Sequence, residues 1–176
     1  SILPIKKQDI LESINYLKKI KKKICSENLT EKNKALSLSE WIEGIPMIYY
    51  PWGLQAAAIR FKNSLQENVK CHAITEDLVE TCHNGIVSWE RPSIVKPILL
   101  EGKDDFVKTK ERVKILKKYF KQNKIEFKEI SSVNGGILTK LINLIYIFDY
   151  STIYLAAKIG IDPSPVKSID FIKKKL

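Results

Sequence analysis

The chain has 176 residues, the length of one ordinary domain, and its 44% hydrophobic and 28% charged residues exclude a wholly disordered or fibrous protein. Lys and Arg outnumber Asp and Glu by 30 to 20, and the resulting net charge of +10 suits an anionic partner or a phosphorylated substrate. The three cysteines, Cys25, Cys71 and Cys82, follow no framework spacing, which excludes a disulfide-stapled secreted module and favours the reducing cytoplasm.

The first part of the chain is predicted to be helical. Apolar residues recur there on one helical face: Ile10, Ile14, Leu17 and Ile24. Asp9, with Glu12 three residues later, resembles a capping box that opens a helix over residues 9–25. A weaker helix is predicted around residues 36–43, and Gly44 ends it.

Strand and helix patterns alternate after Gly44. A predicted strand over residues 45–50 is broken by Pro51-Trp52-Gly53, and a helix over residues 54–68 completes the first half of a βαβ unit. Three further strands are predicted, at residues 71–74, 93–100 and 125–130, with a helix between the last two. This alternation predicts an α/β fold: a three-layer αβα sandwich with a mainly parallel sheet of about five strands.

Residues 136–160 form the most apolar segment of the sequence. Asn143, Asp149 and Lys158 interrupt it, and one charged residue at the centre of a bilayer costs about 2.5–3.5 kcal/mol on an insertion scale. The segment is therefore predicted to be a buried helix rather than a membrane span. Its apolarity on all sides suggests that it lies between the sheet and a partner subunit.

Glu67 is a candidate for acid–base chemistry. It falls in the last turn of the helix predicted over residues 54–68, on a polar stripe with Arg60 and Asn63. The helix dipole places partial negative charge there, which disfavours the ionised carboxylate and suits a base that acts on a carbon acid. From position alone, an exposed glutamate at a helix end, without a catalytic role, is the alternative.

Both histidines directly follow a cysteine, as Cys71-His72 and Cys82-His83. Structural zinc ligands are normally separated by two to four residues, and neighbouring side chains on a strand point to opposite faces, so we predict no metal site. Adjacency in sequence also gives no geometry for a Cys–His nucleophile. His83 lies in a predicted loop, where an imidazole either shuttles protons at neutral pH or simply faces solvent.

Residues 131–136 (Ser-Ser-Val-Asn-Gly-Gly) open the predicted apolar helix, whose N-terminus is a candidate place for an anion. The sequence contains no GxxxxGK[ST] and no GxGxxG motif, so nothing in it supports a bound nucleotide. We predict no cofactor.

Three short motifs occur in order in the second part of the chain. They are Phe-Lys-Asn-Ser-Leu-Gln-Glu-Asn-Val-Lys at residues 61–70, His-Asn-Gly-Ile at 83–86, and Asp-Pro-Ser-Pro-Val-Lys-Ser-Ile-Asp-Phe-Ile-Lys at 162–173. They resemble the K-x-x-x-N-E-N-A-K, H-N-x-I and D-P-T-P-V-x-x-I-D-x-L-K patterns of the bifunctional phosphoglucose/phosphomannose isomerases. The match is to the C-terminal sugar-isomerase (SIS) domain of that family, and the separation between Glu67 and His83 matches as well.

The resemblance implies a SIS-type, flavodoxin-like fold and an enzyme that interconverts glucose 6-phosphate or mannose 6-phosphate with fructose 6-phosphate. It implies that Glu67 moves a proton between C1 and C2 through a cis-enediol, and that His83 assists ring opening in the site of the other subunit of a dimer. Lys173 is similar to the family's C-terminal lysine, near the ring oxygen or phosphate. Ser164 stands where the family has a threonine that accommodates both C2 epimers, and we assign Arg60 to substrate binding.

The resemblance covers residues 45–176, so residues 1–44 are predicted to be helices of a preceding linker. The family's N-terminal SIS domain, with its phosphate loop and active-site arginine, has no counterpart in the sequence, and Ser1 begins near the place where that domain should end. We therefore expect the C-terminal half of a cytoplasmic, homodimeric isomerase, with little or no activity by itself. Such chemistry needs no metal, because a carboxylate abstracts the proton and cationic groups stabilise the enediolate.

Two other functions stay open at this point. A non-catalytic SIS module would bind sugar phosphates as a sensor or subunit. A nucleic-acid-binding domain would use the lysine clusters at residues 18–19, 21–23, 117–118 and 173–175. Such clusters more often form solvated helix faces, and few aromatic residues lie among them for base stacking, so we predict neither nucleic acid nor membrane as a partner.

Overall fold

The computed structural model describes residues 4–176. Within them the elements follow in this order: α1 (Lys7–Ile24), α2 (Lys34–Trp41), β1 (Ile45–Tyr50), α3 (Gln55–Ser64), β2 (Ile74–Asp77), α4 (Leu78–Thr81), β3 (Val95–Glu101), α5 (Val107–Gln122), β4 (Lys128–Ser131), α6 (Ile137–Lys158) and α7 (Lys167–Lys173). A π-helical turn (Leu65–Val69) extends α3, and a 3₁₀-helix (Gly85–Glu90) precedes β3.

The strands form one parallel sheet in the order β2-β1-β3-β4. This confirms the predicted α/β class, although the described residues hold four strands rather than about five, because the chain after β4 continues only as helices and loops. β2 begins later than predicted, since residues 71–73 are used to bring the chain from the end of the preceding helix to the sheet.

Helices cover both faces of the sheet, as expected for a three-layer sandwich. Neighbouring residues of β1 point to opposite faces, so Ile48 joins the core under α3 and α6, and Tyr49 joins the smaller core under α5. Ile24 of α1 and Leu38 of α2 are buried in the same core as Ile48. The division of the chain at residue 44 stays a prediction, and residues 1–3 lie outside the described range.

Helix α6 packs against α1, α2, α3 and the π-helical turn, which accounts for most of its apolar surface within the chain. Ile153 of the same helix is 47% exposed, and the partner subunit suggested above stays a prediction. Within residues 4–176, no helix combines the length and apolarity that crossing a bilayer requires.

The start of α1 also differs from the prediction. The carboxylate of Asp9 accepts a hydrogen bond from the backbone N–H of Lys6 at 2.8 Å, so Lys6 rather than Asp9 occupies the cap position. The predicted box formed by Asp9 and Glu12 is therefore wrong, and Glu12 makes a different contact, described below.

The loop after β1 leaves the carboxyl end of the sheet. Gly53 adopts φ +90 there, a conformation that favours glycine, and the chain turns at once into α3. Trp52 beside it is 92% exposed.

Candidate active site

Glu67 lies in the π-helical turn that ends the helix after β1. Leu65 and Val69 on either side of it are buried, while Glu67 is exposed. π-helical turns within helices are rare and are frequently found at functional sites. The fold therefore presents the carboxylate of Glu67 to solvent, at the position that the sequence motif indicates.

Lys70 ends this turn with φ +58, a left-handed conformation that is rare for residues with a side chain. Its ammonium group donates hydrogen bonds to three backbone oxygens: that of Glu67 at 2.5 Å, that of Pro163 at 3.3 Å and that of Pro165 at 2.7 Å. The chain that follows α6 is thereby joined to the Glu67 turn.

A cavity of about 280 Å³ opens beside Glu67. Gln66, Glu67 and Lys70 form one wall, and residues 165–169, at the start of α7, form the other. The volume is near the lower limit of about 300 Å³ for small-molecule sites. Glu67, Lys167 and Ser168 bring a carboxylate, an ammonium and a hydroxyl to it. These are groups that move a proton and bind sugar or phosphate oxygens.

Arg60 is not among the residues that line this cavity. Its guanidinium donates to the carboxylate of Asp149 in α6, at 3.3 Å from Nε and 3.2 Å from Nη2. The hydroxyl of Ser64 donates to the same carboxylate at 2.9 Å. Arg60 thus fastens α3 to α6, and the substrate contact assigned to it stays a prediction.

Ser164 and Lys173 belong to the segment beside the cavity but do not line it. The backbone N–H of Ser164 donates to Asp162 at 2.9 Å, and the hydrogen bonds from Ser164 lower the pKa of that carboxyl. Lys173 is exposed at the end of α7, about 9 Å along the helix axis from Lys167. The roles of both residues stay predictions.

His83 lies at the other end of β2 from Glu67. The π-helical turn precedes β2, whereas His83 follows the one-turn helix α4 that comes after it. A four-residue strand spans about 13 Å. His83 is exposed, its backbone N–H donates to the carbonyl of Glu80 at 3.0 Å, and it does not line the Glu67 cavity. One chain therefore does not bring Glu67 and His83 together.

The anion place predicted at residues 131–136 is occupied by a side chain of the protein itself. Glu12 of α1 accepts hydrogen bonds from the backbone N–H of Gly136 at 3.1 Å and from the hydroxyl of Thr139 at 2.7 Å. Both hydrogen bonds lower the pKa of the Glu12 carboxyl, and the one from Thr139 has the larger effect. The carboxylate of Glu12 thus accepts hydrogen bonds at the N-terminus of α6, and it occupies the place where the sequence predicts a bound anion.

Two of the cysteines, Cys71 and Cys82, are not activated for nucleophilic chemistry. Burial raises the pKa of the thiols of Cys71 and Cys82, whereas a nucleophilic cysteine needs a lowered one. Residues 4–176 contain no group of three His, Cys, Asp or Glu side chains placed to hold a metal ion.

Sequence reasoning misses Lys70, Lys167 and Ser168 as cavity residues. All three stand inside the motifs at residues 61–70 and 162–173, which is the one signal that marks them. The hydrogen bond from Lys70 to Pro165 joins residues 95 positions apart, and no local pattern predicts a contact of that range.

Comparison with known proteins identifies relatives along nearly the whole chain. A family model, the bacterial phospho-glucose isomerase C-terminal SIS domain, matches residues 31–176. The bifunctional phosphoglucose/phosphomannose isomerase of Caldicellulosiruptor bescii is 32% identical over 174 residues, which cover 95% of this chain and 51% of that protein. A protein of the same name from Aquifex aeolicus is 30% identical, with coverage of 85% and 50%. The chain spans about half the length of these curated relatives.

The fold is similar to that of solved sugar isomerases. The crystal structure of a glucose-6-phosphate isomerase like protein from Thermus thermophilus superposes with a TM-score of 0.73 at 16% identity, over 90% of this chain and 55% of the other. The structural likeness shows the fold, and the family model together with the two relatives confirms the family that the motifs resemble. The chain belongs to the family of bacterial phosphoglucose isomerase C-terminal SIS domains.

Proposed function

We propose that this domain supplies the proton-transferring carboxylate of an isomerase that interconverts glucose 6-phosphate, and mannose 6-phosphate, with fructose 6-phosphate. The observation that carries the proposal is the exposed Glu67, in a π-helical turn beside a cavity, in a chain whose relatives are named for this reaction. The chemistry of such a reaction is one proton transfer between adjacent carbons, for which a carboxylate is a suitable base.

The proton transfer proceeds in two balanced halves. Glu67 removes the proton from C2 of the open-chain aldose, and the electron pair of that bond forms the C1=C2 bond of a cis-enediol. The π pair of the C1=O1 bond moves to O1, which takes a proton from water. Glu67 then returns its proton to C1, O2 gives its proton to water, and the ketose carbonyl forms at C2. The exposed, flexible side chain of Glu67 suits this role, because it has to reach both carbons in turn.

His83 and Lys173 are proposed to complete the catalytic set. Since His83 lies at the opposite end of β2, its imidazole is proposed to assist ring opening at the Glu67 of a second copy in a dimer. Lys173 is proposed to bind the ring oxygen or phosphate from α7, with Ser164 beside it and Arg60 released from Asp149 when substrate binds. The enediolate is then stabilised by fixed positive charge.

A second SIS domain is proposed to supply the remaining phosphate contacts. The curated relatives are about twice as long as this chain. We expect the 176-residue chain alone to show little or no turnover of fructose 6-phosphate, and measurable turnover would contradict the need for such a second domain.

The decisive experiment is Glu67→Gln in the natural gene product that carries this sequence. Gln keeps the shape of the side chain but cannot take a proton, so kcat should fall by about 10²–10⁴-fold, and deuterium from solvent should no longer enter the sugar at C1 or C2. Glu43→Gln, at an exposed glutamate outside the cavity, is the control with the same charge change. Equal activity of the two variants would overturn the proposal.

The same experiment separates an isomerase from a sugar-phosphate sensor. A sensor shows no turnover before the substitution and loses at most some affinity after it. Turnover of fructose 6-phosphate by the unsubstituted protein therefore distinguishes the two. Calorimetric titration of fructose 6-phosphate into the Glu67→Gln protein then checks that the isomerase keeps binding while it loses chemistry.

A further inference from the structure

Lys70 stands in a backbone conformation that its residue type disfavours. Its φ of +58 is one of two positive φ values among the non-glycine residues from 4 to 176. Left-handed backbone is ordinarily left to glycine, because a Cβ atom crowds the neighbouring carbonyl. Lys124, after α5, shares this conformation, so the backbone alone assigns no role to Lys70, and the contacts of its ammonium group carry the argument.

The ammonium group of Lys70 is fully used by backbone. Its three N–H donors correspond in number to its three acceptors, the carbonyls of Glu67, Pro163 and Pro165. An ammonium so engaged has no donor left for a substrate oxygen. Lys70 thus differs from Lys167 across the cavity, for which no hydrogen bond within the described residues competes with a ligand.

The segment that Lys70 holds has little else to keep it in place. No residue from 162 to 176 is buried, so the hydrophobic core does not anchor the segment. Within residues 4–176, the hydrogen bonds that join this segment to a distant part of the chain all come from Lys70. The same segment forms one wall of the Glu67 cavity through residues 165–169.

We propose that Lys70 is a positioning residue that holds the C-terminal segment against the Glu67 turn and so keeps the cavity assembled before a ligand arrives. The structural part of this proposal stands on the hydrogen bonds alone, and its consequence for catalysis rests on the proposed function. Removing the ammonium leaves Glu67 in place but releases the opposite wall, so each binding event then has to order residues 162–173 again.

The structural part is tested on the 176-residue chain by amide hydrogen exchange. Lys70→Met keeps most of the aliphatic stem but loses the donors, and we expect residues 162–173 to exchange about tenfold faster in it, with exchange in β1 and β3 unchanged. Lys70→Gly relieves the left-handed backbone and loses the same donors, so it should show the same fast segment. Lys22→Met, at an exposed lysine of α1, is the control for the loss of one charge. Unchanged exchange of the segment in both Lys70 variants would overturn the proposal.

The catalytic part is tested on the natural gene product. Lys70→Met should raise KM for fructose 6-phosphate by about tenfold with kcat changed much less, because the base is intact and the cost falls on binding. A fall in kcat at constant KM would overturn the positioning role. If Glu67→Gln keeps full activity, the proposed function fails, and the hydrogen-exchange result still decides whether Lys70 holds the segment.

Discussion

The two side chains that the motifs assign to catalysis stand on differently built parts of the molecule. Glu67 lies in the π-helical turn that extends α3. Helix α3 packs against α6 through the stacked rings of Phe61 and Phe148, whose centroids are 4.2 Å apart and which are both fully buried. The carboxylate of Asp149 in α6 also accepts hydrogen bonds from α3. His83 follows a helix of a single turn and is carried by an exposed loop. The region around the carboxylate is fixed by core packing, and the region around the imidazole is not.

Hydrogen bonds of neighbouring residues nevertheless hold the backbone of the His83 loop in place. The carboxylate of Glu76 accepts a hydrogen bond from Thr81 at 3.1 Å and fills the space beside Gly85, where a Cβ atom would clash with it. Trp89 then donates its indole N–H to the Tyr49 hydroxyl at 2.8 Å. The chain thus fixes the path of this loop, whereas no hydrogen bond within residues 4–176 fixes the orientation of the His83 ring.

The largest effect on stability is expected in the region around Glu67, where α3 packs against α6. Phe148→Ala removes one ring of the buried stack and should lower the free energy of unfolding by about 3–5 kcal/mol. Trp89→Phe, near the His83 loop, keeps an aromatic ring and loses one buried hydrogen bond, so its cost should be about 1–2 kcal/mol. Urea unfolding of both variants measures the two values, and a loss below about 1 kcal/mol for Phe148→Ala would contradict a region fixed by core packing.

The next effect tests whether the two regions serve each other across a dimer. Glu67→Gln and His83→Gln, each made in the natural gene product, should each lose about 10²–10⁴-fold in kcat. Unfolding and refolding the two variants together gives mixed dimers in which one site carries both changes and the other carries neither. An equimolar mixture should then recover about a quarter of the wild-type activity, as expected for a two-fold symmetric dimer with shared sites.

No recovery in the mixture, with mixed dimers demonstrated by mass spectrometry, would contradict a site shared between subunits. Recovery without mixing of subunits would contradict it equally, since separate variants have no complete site.

The smallest expected effect concerns helix α1, which belongs to neither region. Hydrogen bonds from Thr139 and Gly136 hold the pKa of Glu12 below its ordinary value of 4.5, so the folded state favours its ionised form. The stabilisation is therefore present above about pH 4.5 and is lost as the pH falls through the folded pKa. Glu12→Gln should be less stable than wild type at pH 7, and the difference in unfolding midpoint should shrink at pH 3. A difference that is equal at both pH values would show that the charge of Glu12 is irrelevant.

Local patterns predict the sheet and the helices well and the long-range polar contacts poorly. The strand at residues 45–50 is found with its predicted bounds, because Gly44 and Pro51 limit it on both sides. The helix after it is found as well, but its last turn is a wider π-helical turn. The hydrophobic periodicity of the sequence does not distinguish such a turn from an α-helical one. Glu12 looks like a local cap in sequence and instead caps a helix more than 120 residues away.

The candidate site divides in the same way. The motif places Glu67 at the end of a helix, and this position follows from local sequence. The wall opposite it comes from residues 165–169, which α6 returns to the same end of the sheet, and this depends on tertiary packing. Likewise, the charge of Arg60 is visible in sequence, whereas its pairing with Asp149 is not.

The unequal surroundings of the tryptophans have a spectroscopic consequence. Trp52, almost wholly in water at the carboxyl end of β1, should emit at longer wavelength and be quenched readily by iodide, whereas Trp89, 8% exposed, should do neither. Trp41 of α2 is half-buried and emits as well. In a Trp41→Phe background, fluorescence can therefore follow the covering of the β1 loop and the loosening of the histidine loop separately.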